Sequence, residues 1–199
     1  EVFQPPSSYD PDKPAVRRFL KKVIRDVCRL FPSRYFHMCF DETQGVTERQ
    51  FFAHANFCAK ELVKYGKTPV MWVDMIYNHF GVETVKKLHP SIVPVDWQYG
   101  NVSRGVHYWE ELADQGREVW GLAGYGNCGN FLPDFSKAKK HYADWIRQLR
   151  KVPGGALFSS IWGDNGYENS RDLCWNLYAA FGENTWSGAS AEEASFERR

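Results

Sequence analysis

The chain has 199 residues, with 25 basic and 24 acidic side chains and a formal net charge of +1. Because the two signs are interleaved, we expect no long-range attraction to nucleic acid or to an anionic membrane surface. No run approaches the roughly 18 apolar residues that span a bilayer, and 8 Trp, 10 Tyr and 14 Phe are too many for a disordered chain. The composition predicts a compact globular unit that is rich in aromatic residues.

Helix and strand patterns alternate along the chain. The first helix is predicted over residues 14–31, where apolar residues recur at helical spacing and Pro14 suits the first turn. A capping-box pattern from Thr47 to Gln50 begins the second helix, and Gly66 ends it. The other predicted helices cover residues 82–88, 106–116, 135–149 and 173–181. The predicted strands cover residues 35–40, 69–73, 92–95, 118–122 and 156–161.

This alternation predicts a mostly parallel α/β sheet. One strand-helix unit averages about 30 residues, so eight units would need about 240, close to the ~250 that are typical of a (β/α)8 barrel. The chain holds five units, and it begins at Glu1 rather than Met. A barrel therefore implies that about three units precede this segment. The alternative is an open, doubly wound sheet of five strands, although no Gly-rich phosphate turn follows any predicted strand.

The predicted strand ends share an acid or an amide, and four of the five add an aromatic residue. In parallel α/β folds the chemistry lies where the strands end. Flat rings beside carboxylates suit a sugar, which has an apolar C–H face and a rim of hydroxyls. A single Trp there is often a core residue, and a single Asp often caps the next helix. Repetition at every strand end favours a binding site. The residues are Asp41, Glu42, Trp72, Asp74, Asp96, Trp97, Tyr99, Tyr125, Asn127, Trp162 and Asp164.

Asp41 and Glu42 are the most specific feature. We expect them at a buried strand end, where adjacent acids can titrate at different pH values and one can stay protonated. Neighbours in sequence cannot easily flank a sugar, as carboxyl groups about 5–5.5 Å apart in retaining glycosidases do. If Glu42 is the acid, the pattern favours substrate-assisted chemistry, in which the acetamido oxygen of the sugar attacks. His37 is expected to be an internal, hydrogen-bonded residue, and it completes no recognisable metal motif with these acids.

The segment from Leu30 to Glu42 resembles the fourth-strand signature of glycoside hydrolase family 20, the β-N-acetylhexosaminidases. That signature has phenylalanine-proline, a short spacer, and then His-x-Gly-x-Asp-Glu, and the spacing from His37 to Asp41 agrees with it. The resemblance extends to later strands of the family, at residues 70–74, 95–97 and 161–164, and to its final helix, at residues 179–186. The resemblance implies a (β/α)8 TIM barrel. Residues 1–199 would form a partial catalytic domain that supplies about strands 4–8.

The resemblance implies a role for each matching residue. Glu42 would be the general acid/base that protonates the leaving glycosidic oxygen. Asp41 would bind the acetamido N–H and steady the oxazolinium intermediate. The implied substrate contacts are the pocket walls Trp72, Trp97 and Trp162, and the polar groups of Tyr125, Asn127 and Asp164. No metal and no cofactor are implied.

The implied activity is that of an exo-β-N-acetylhexosaminidase that hydrolyses terminal N-acetylhexosamine from glycans by a substrate-assisted retaining mechanism. Its partner would be the rest of its own barrel. Cys39 stands where the family has Gly, and Phe40 stands where a small residue is common, which crowds the strand end. Two alternatives therefore stay open: a non-catalytic glycan-binding relative, and a fragment that works only with a barrel-completing chain. Because missing strands leave open edges and exposed apolar area, we expect residues 1–199 alone to be aggregated, molten or inactive.

Overall fold

A computed structural model describes residues 9–99, 102, 106–124, 134–152, 154–160 and 174–187 of the chain. Strands and helices alternate through these residues, as the sequence predicts. The strands are β1 (Tyr35–His37), β2 (Thr68–Trp72), β3 (Val93–Trp97), β4 (Trp120–Ala123) and β5 (Ala156–Ser159). The helices are α1 (Pro14–Leu30), α2 (Glu48–Val63), α3 (Val106–Asp114), α4 (Phe135–Leu149) and α5 (Trp175–Ser187). The chain divides into two compact units, Glu1–Val95 and Asp96–Arg199.

Local sequence signals determine where the helices of the first unit begin and end. Pro14 occupies the first turn of α1. The Thr47 hydroxyl accepts the Gln50 N–H at 3.3 Å, while the Gln50 side chain accepts the Thr47 N–H at 3.0 Å. This reciprocal pair confirms the predicted capping box at the start of α2. Gly66 follows the helix with a φ of 68°, and its N–H donates to the Val63 carbonyl.

The strands of the first unit run parallel to one another. β1 pairs with β2, and β2 pairs with β3. In the register of the ladders, His37 lies opposite Val70, and Trp72 lies opposite Val95. Parallel pairing confirms the predicted sheet type. It also brings the carboxyl ends of β1 and β2 to the same edge, where the loops that follow them meet.

The two faces of β1 have different surroundings, because successive side chains of a strand point to opposite sides. On one side, Phe36 and Met38 pack against a core formed by Ile24 of α1 and by Cys58 and Leu62 of α2. On the other side, the His37 ring lies 4.4 Å from the ring of Trp72. The apolar side therefore attaches β1 to its helices, and the other side carries the polar and aromatic groups.

The observed β1 is shorter than the predicted strand 35–40. It ends at His37 because Cys39 and Phe40 have φ values of 65° and 82°, which leave the extended region. After β2, a turn of π-helix, Ile76–Phe80, precedes the short 3-10 helix Val82–Lys87. The sequence pattern predicted the second of these turns but missed the first.

The second unit contains the parallel pair β4 and β5. β4 begins at Trp120, two residues later than predicted, because its ladder with β5 begins where Trp120 lies opposite Ala156. The fully buried ring of Trp145 on α4 lies directly over β4, where a Cβ at Gly121 would collide with it. Close packing of helix on strand is therefore the reason for glycine at this position.

α5 ends at Ser187, beyond the predicted residue 181. Its last turn is supported by the hydroxyls of Thr185 and Ser187, which donate to the carbonyls of Phe181 and Glu183 one turn earlier. The final residue of the predicted strand 156–161 lies outside the described residues. Among the helices that the structure describes, none has the length and apolar character needed to cross a membrane.

Candidate active site

Asp41 and Glu42 lie on the loop that follows β1, and both side chains are exposed. The expectation of a buried strand end is therefore wrong. The strand ends at His37, and the loop turns through positive φ values of 65° at Cys39, 82° at Phe40 and 47° at Glu42. This region favours glycine, so the loop stores backbone strain that its surroundings must offset.

Two hydrogen bonds attach this loop to the segment around the end of β2. The Trp72 N–H donates to the Cys39 carbonyl at 3.0 Å. The Glu42 N–H donates to Oδ2 of Asp74 at 3.0 Å. The backbone of the loop is therefore fixed on both sides of Asp41, while the carboxyl groups of the acid pair face outward.

The Phe40 side chain supplies a third, apolar attachment. Its ring centroid lies 5.6 Å from those of Phe51 and His54, both on the buried face of α2. Phe40 also packs against the core that joins α1 to α2. Phe40 therefore holds the loop against α2, although its own positive φ lies in a region that favours glycine.

A cavity of about 250 Å³ opens beside the acid pair. This volume is slightly below the ~300–1,000 Å³ of typical ligand pockets. Its lining combines Asp41 and Glu42 with aromatic and neutral polar residues. The lining residues include Tyr9, Phe40, Asp41, Glu42, Gln50, Phe51 and His54. Acidic residues beside aromatic residues are the combination that the sequence analysis expects at a sugar-binding site.

His54 and Tyr9 are cavity residues that the sequence analysis did not identify. His54 is 5% exposed, and its Nε2 lies 2.9 Å from the Tyr9 hydroxyl. Burial lowers the pKa of His54 and raises that of Tyr9. The helical pattern of α2 contained a signal, because His54 shares the apolar face of Phe51 and Cys58 at spacings of three and four residues.

His37 is hydrogen-bonded, as expected, but it is half-buried rather than fully internal. Its Nδ1 accepts the Cys39 N–H at 3.1 Å, so the neutral ring carries its proton on Nε2. That nitrogen is buried, and it has no hydrogen-bond partner among the described residues. Desolvation lowers the pKa of His37 to about 4, although the negative charge of Asp41 acts in the opposite direction.

This shift predicts that acid weakens the fold through His37. In the unfolded chain His37 titrates near its ordinary pKa of about 6.5, whereas in the folded chain the pKa is about 4. The unfolded state therefore binds more protons between these values, and stability is lost as pH falls through that window. The full shift corresponds to roughly 3 kcal/mol. Urea unfolding of the full-length protein at pH 7 and pH 4.5 should show a smaller pH effect in His37→Gln than in the wild type. The exposed His79→Gln is the control, and an unchanged pH effect in His37→Gln would contradict the assignment.

The other predicted site residues divide between the two units and the undescribed segments. Trp72 is half-buried at the end of β2 beside His37. Trp97, at the end of β3, belongs to the second unit, where its ring lies 5.0 Å from that of Tyr99. The predicted contacts outside the described residues are Tyr125, Asn127, Trp162 and Asp164. In the described part of the chain, no group of three His, Cys, Asp or Glu side chains could hold a metal ion.

Comparison with known proteins gives a family match. The model of the glycosyl hydrolase family 20 catalytic domain matches residues 2–122, which is more than half of the chain. That segment contains β1 with Asp41 and Glu42, β2, β3 and most of β4. A comparison with curated protein sequences gives no match.

Solved structures of this family share the fold. An exo-β-N-acetylglucosaminidase from Vibrio harveyi in complex with N-acetylglucosamine has a TM-score of 0.65 at 17% identity, over 94% of this chain and 34% of its own. A β-N-acetylhexosaminidase from Bacteroides fragilis has a TM-score of 0.59 at 17% identity, over 96% of this chain and 46% of its own. A mutant Streptomyces plicatus β-hexosaminidase in complex with the product GlcNAc has a TM-score of 0.60 at 17% identity, over 96% of this chain and 43% of its own.

These values define the extent of the likeness. The chain spans between a third and a half of the length of these three structures. The chain has five strands that alternate with helices in a parallel α/β arrangement. This arrangement is consistent with part of a (β/α)8 barrel. The match over residues 2–122 includes the acid pair on which the sequence resemblance depended. The chain therefore belongs to glycosyl hydrolase family 20.

Proposed function

We propose that this chain supplies the acid-bearing part of the active site of an exo-β-N-acetylhexosaminidase. The enzyme would remove terminal N-acetylhexosamine from glycans by a substrate-assisted retaining mechanism. The observation that carries the proposal is the outward-facing pair Asp41 and Glu42, which follows a parallel strand in a chain of this family. In this assignment the five strands are about strands 4–8 of the barrel, and the rest of the barrel is the required partner.

In the proposed reaction Glu42 gives a proton to the glycosidic oxygen as the bond to the anomeric carbon breaks. The acetamido oxygen of the same sugar attacks that carbon from the opposite face and closes an oxazolinium ring. Asp41 holds the acetamido N–H and balances the positive charge of this ring. Glu42 then takes a proton from water, which attacks the anomeric carbon and opens the ring. Two displacements at one carbon return the β configuration.

The sugar-binding part of the proposal rests on the aromatic residues at the strand ends. Trp72 supports it by its position, because its half-buried ring lies in the same unit as the acid pair. The other proposed contacts are Trp97, Tyr125, Asn127, Trp162 and Asp164. An apolar C–H face of the sugar would lie on the rings, and the amide and carboxylate groups would bind the hydroxyls.

A second candidate function is glycan binding without hydrolysis. It is favoured by the strained loop, in which Cys39 and Phe40 adopt glycine-like dihedral angles and Phe40 is packed on α2. If this packing displaces the acid pair from its working position, the pocket would still bind a sugar but would not cleave it. Binding of N-acetylhexosamine without turnover would identify this case.

The test of the proposed function is the stereochemistry of the first product. The full-length protein is incubated with an aryl N-acetyl-β-glucosaminide, and the anomeric protons are followed by NMR. We expect release of β-N-acetylglucosamine first, followed by slow mutarotation, because the mechanism retains configuration. An initial α product would overturn the proposed mechanism, and binding without any product would leave the glycan-binding alternative.

A further inference from the structure

We propose that Asp74 is a positioning residue for Glu42. Its buried carboxylate holds the Glu42 backbone N–H and so determines where the Glu42 carboxyl is presented to the substrate. This inference rests on the proposed function, because it gives Asp74 a task in the step that Glu42 would perform.

The contact joins two distant parts of the chain. Oδ2 of Asp74 lies 3.0 Å from the Glu42 nitrogen, across 32 residues of sequence. Asp74 is 2% exposed, and the preceding N–H of Val73 donates to the Val95 carbonyl at 3.2 Å. The Asp74 carboxylate is therefore carried by a backbone segment that is hydrogen-bonded to β3 of the sheet. A hydrogen bond from an N–H to a carboxylate is also about twice as strong as one between neutral groups.

Glu42 depends on this contact because its own conformation is strained. Its φ of 47° follows the positive φ values of Cys39 and Phe40. Such a run persists only where surrounding contacts hold it. The Glu42 side chain is exposed, so the protein controls its position through the backbone. A general acid must come within about 2.6–3.2 Å of the atom that it protonates, and a misplacement of about 1 Å can lower a rate about 10²-fold.

The sequence offered another explanation for Asp74, that of a cap for the helical turn after β2. The cap position of the turn Ile76–Phe80 is instead Met75, and no side-chain capping bond is made there. The Asp74 carboxylate is directed to the loop after β1. There its Oδ2 accepts the Glu42 N–H.

The experiment is a double-mutant cycle in the full-length protein. We expect Asp74→Ala to lower kcat about 10- to 100-fold on a substrate with a poor leaving group, and less than about threefold on one with an acidic phenol. The KM should change little. Asp74→Asn keeps an oxygen acceptor and should restore most of the rate. In a Glu42→Gln background, Asp74→Ala should cost less than about twofold, because the group that it positions is already absent.

Glu61→Ala is the matched control, since Glu61 on α2 is a buried acid of the same unit and pairs with Lys64 just after that helix. It should lower stability without changing the leaving-group dependence. Additive losses for Asp74→Ala and Glu42→Gln, or equal losses on both leaving groups, would overturn the positioning role. The proposed function would survive that result, because its tests, the configuration of the first product and the need for the acetamido group, use the wild-type protein.

Amide hydrogen exchange tests the contact without any reaction. The Glu42 N–H should exchange slowly in the wild type, faster in Asp74→Ala and at an intermediate rate in Asp74→Asn. Unchanged exchange in both variants would overturn the inference, whatever the activity. If Asp74→Ala does not fold, the comparison of Asp74→Asn with the wild type carries the same test.

Discussion

Glu42→Gln is expected to lower the hydrolysis of natural disaccharides about 10²- to 10⁴-fold, which is the usual contribution of general acid catalysis. A sugar leaving group needs a proton as its bond breaks, and glutamine cannot give one. An acidic phenol barely needs that proton, so the same variant should lose far less rate on such aryl substrates. The measurement is kcat/KM of the full-length protein on both kinds of substrate.

Glu48→Gln provides a control with the same change of charge in the same unit. Glu48 lies in the first turn of α2, where it pairs with Lys87, and its loss should leave the ratio of the two rates unchanged. Equal losses for Glu42→Gln on both kinds of substrate would contradict the assignment of Glu42 as the acid.

Asp41→Ala is expected to lower the rate on both kinds of substrate, on the order of 10²- to 10³-fold, as the loss of one group that stabilises developing charge typically does. Its proposed partner is the attacking acetamido group, which acts whatever the leaving group is. The ratio between good and poor leaving groups should therefore stay near that of the wild type. The measurement is again kcat/KM on the two substrates, together with far-UV CD to show that the variant is folded.

Asp26→Ala on α1 is the control for removing one carboxylate from the first unit. It should leave both rates near those of the wild type, since Asp26 pairs with its neighbour Arg25 on that helix. A loss for Asp41→Ala that appears only with poor leaving groups would reverse the division of labour between the two acids.

The elements of the fold that follow from local chemistry were predictable from the sequence. Thr47 and Gln50 form the capping box that their spacing indicated, and Gly66 takes the positive φ that ends α2. These signals work because the groups that satisfy the helix ends are within a few residues of them. The parallel pairing of β1 with β2 is confirmed for a related reason, because a helix lies between them in the chain.

The loop that carries the acid pair was not predictable in the same way. Cys39 and Phe40 look like the continuation of an apolar strand, yet both have positive φ. The packing of Phe40 on Phe51 and the bond from Glu42 to Asp74 hold the loop there, and these contacts join residues far apart in sequence. Local preference gives no information on such contacts, and tertiary structure overrides it.

The site residues show the same division. The acid pair could be identified because it follows a predicted strand at the spacing of the family signature. His54 was missed because it lies within an apolar helical face and resembles a core residue. Only the structure shows that His54 lines the cavity, with the Tyr9 hydroxyl 2.9 Å from its Nε2. The substrate contacts at Tyr125, Asn127, Trp162 and Asp164 stay predictions.

The central claim is that the substrate's own acetamido group is the nucleophile and that Glu42 is the general acid that protonates the leaving oxygen. The most direct measurement compares the full-length protein on an aryl N-acetyl-β-glucosaminide and on the matching aryl β-glucoside, which lacks that group. We predict hydrolysis of the first and none of the second. Efficient cleavage of the plain glucoside would contradict the claim, because it would require a nucleophile supplied by the protein.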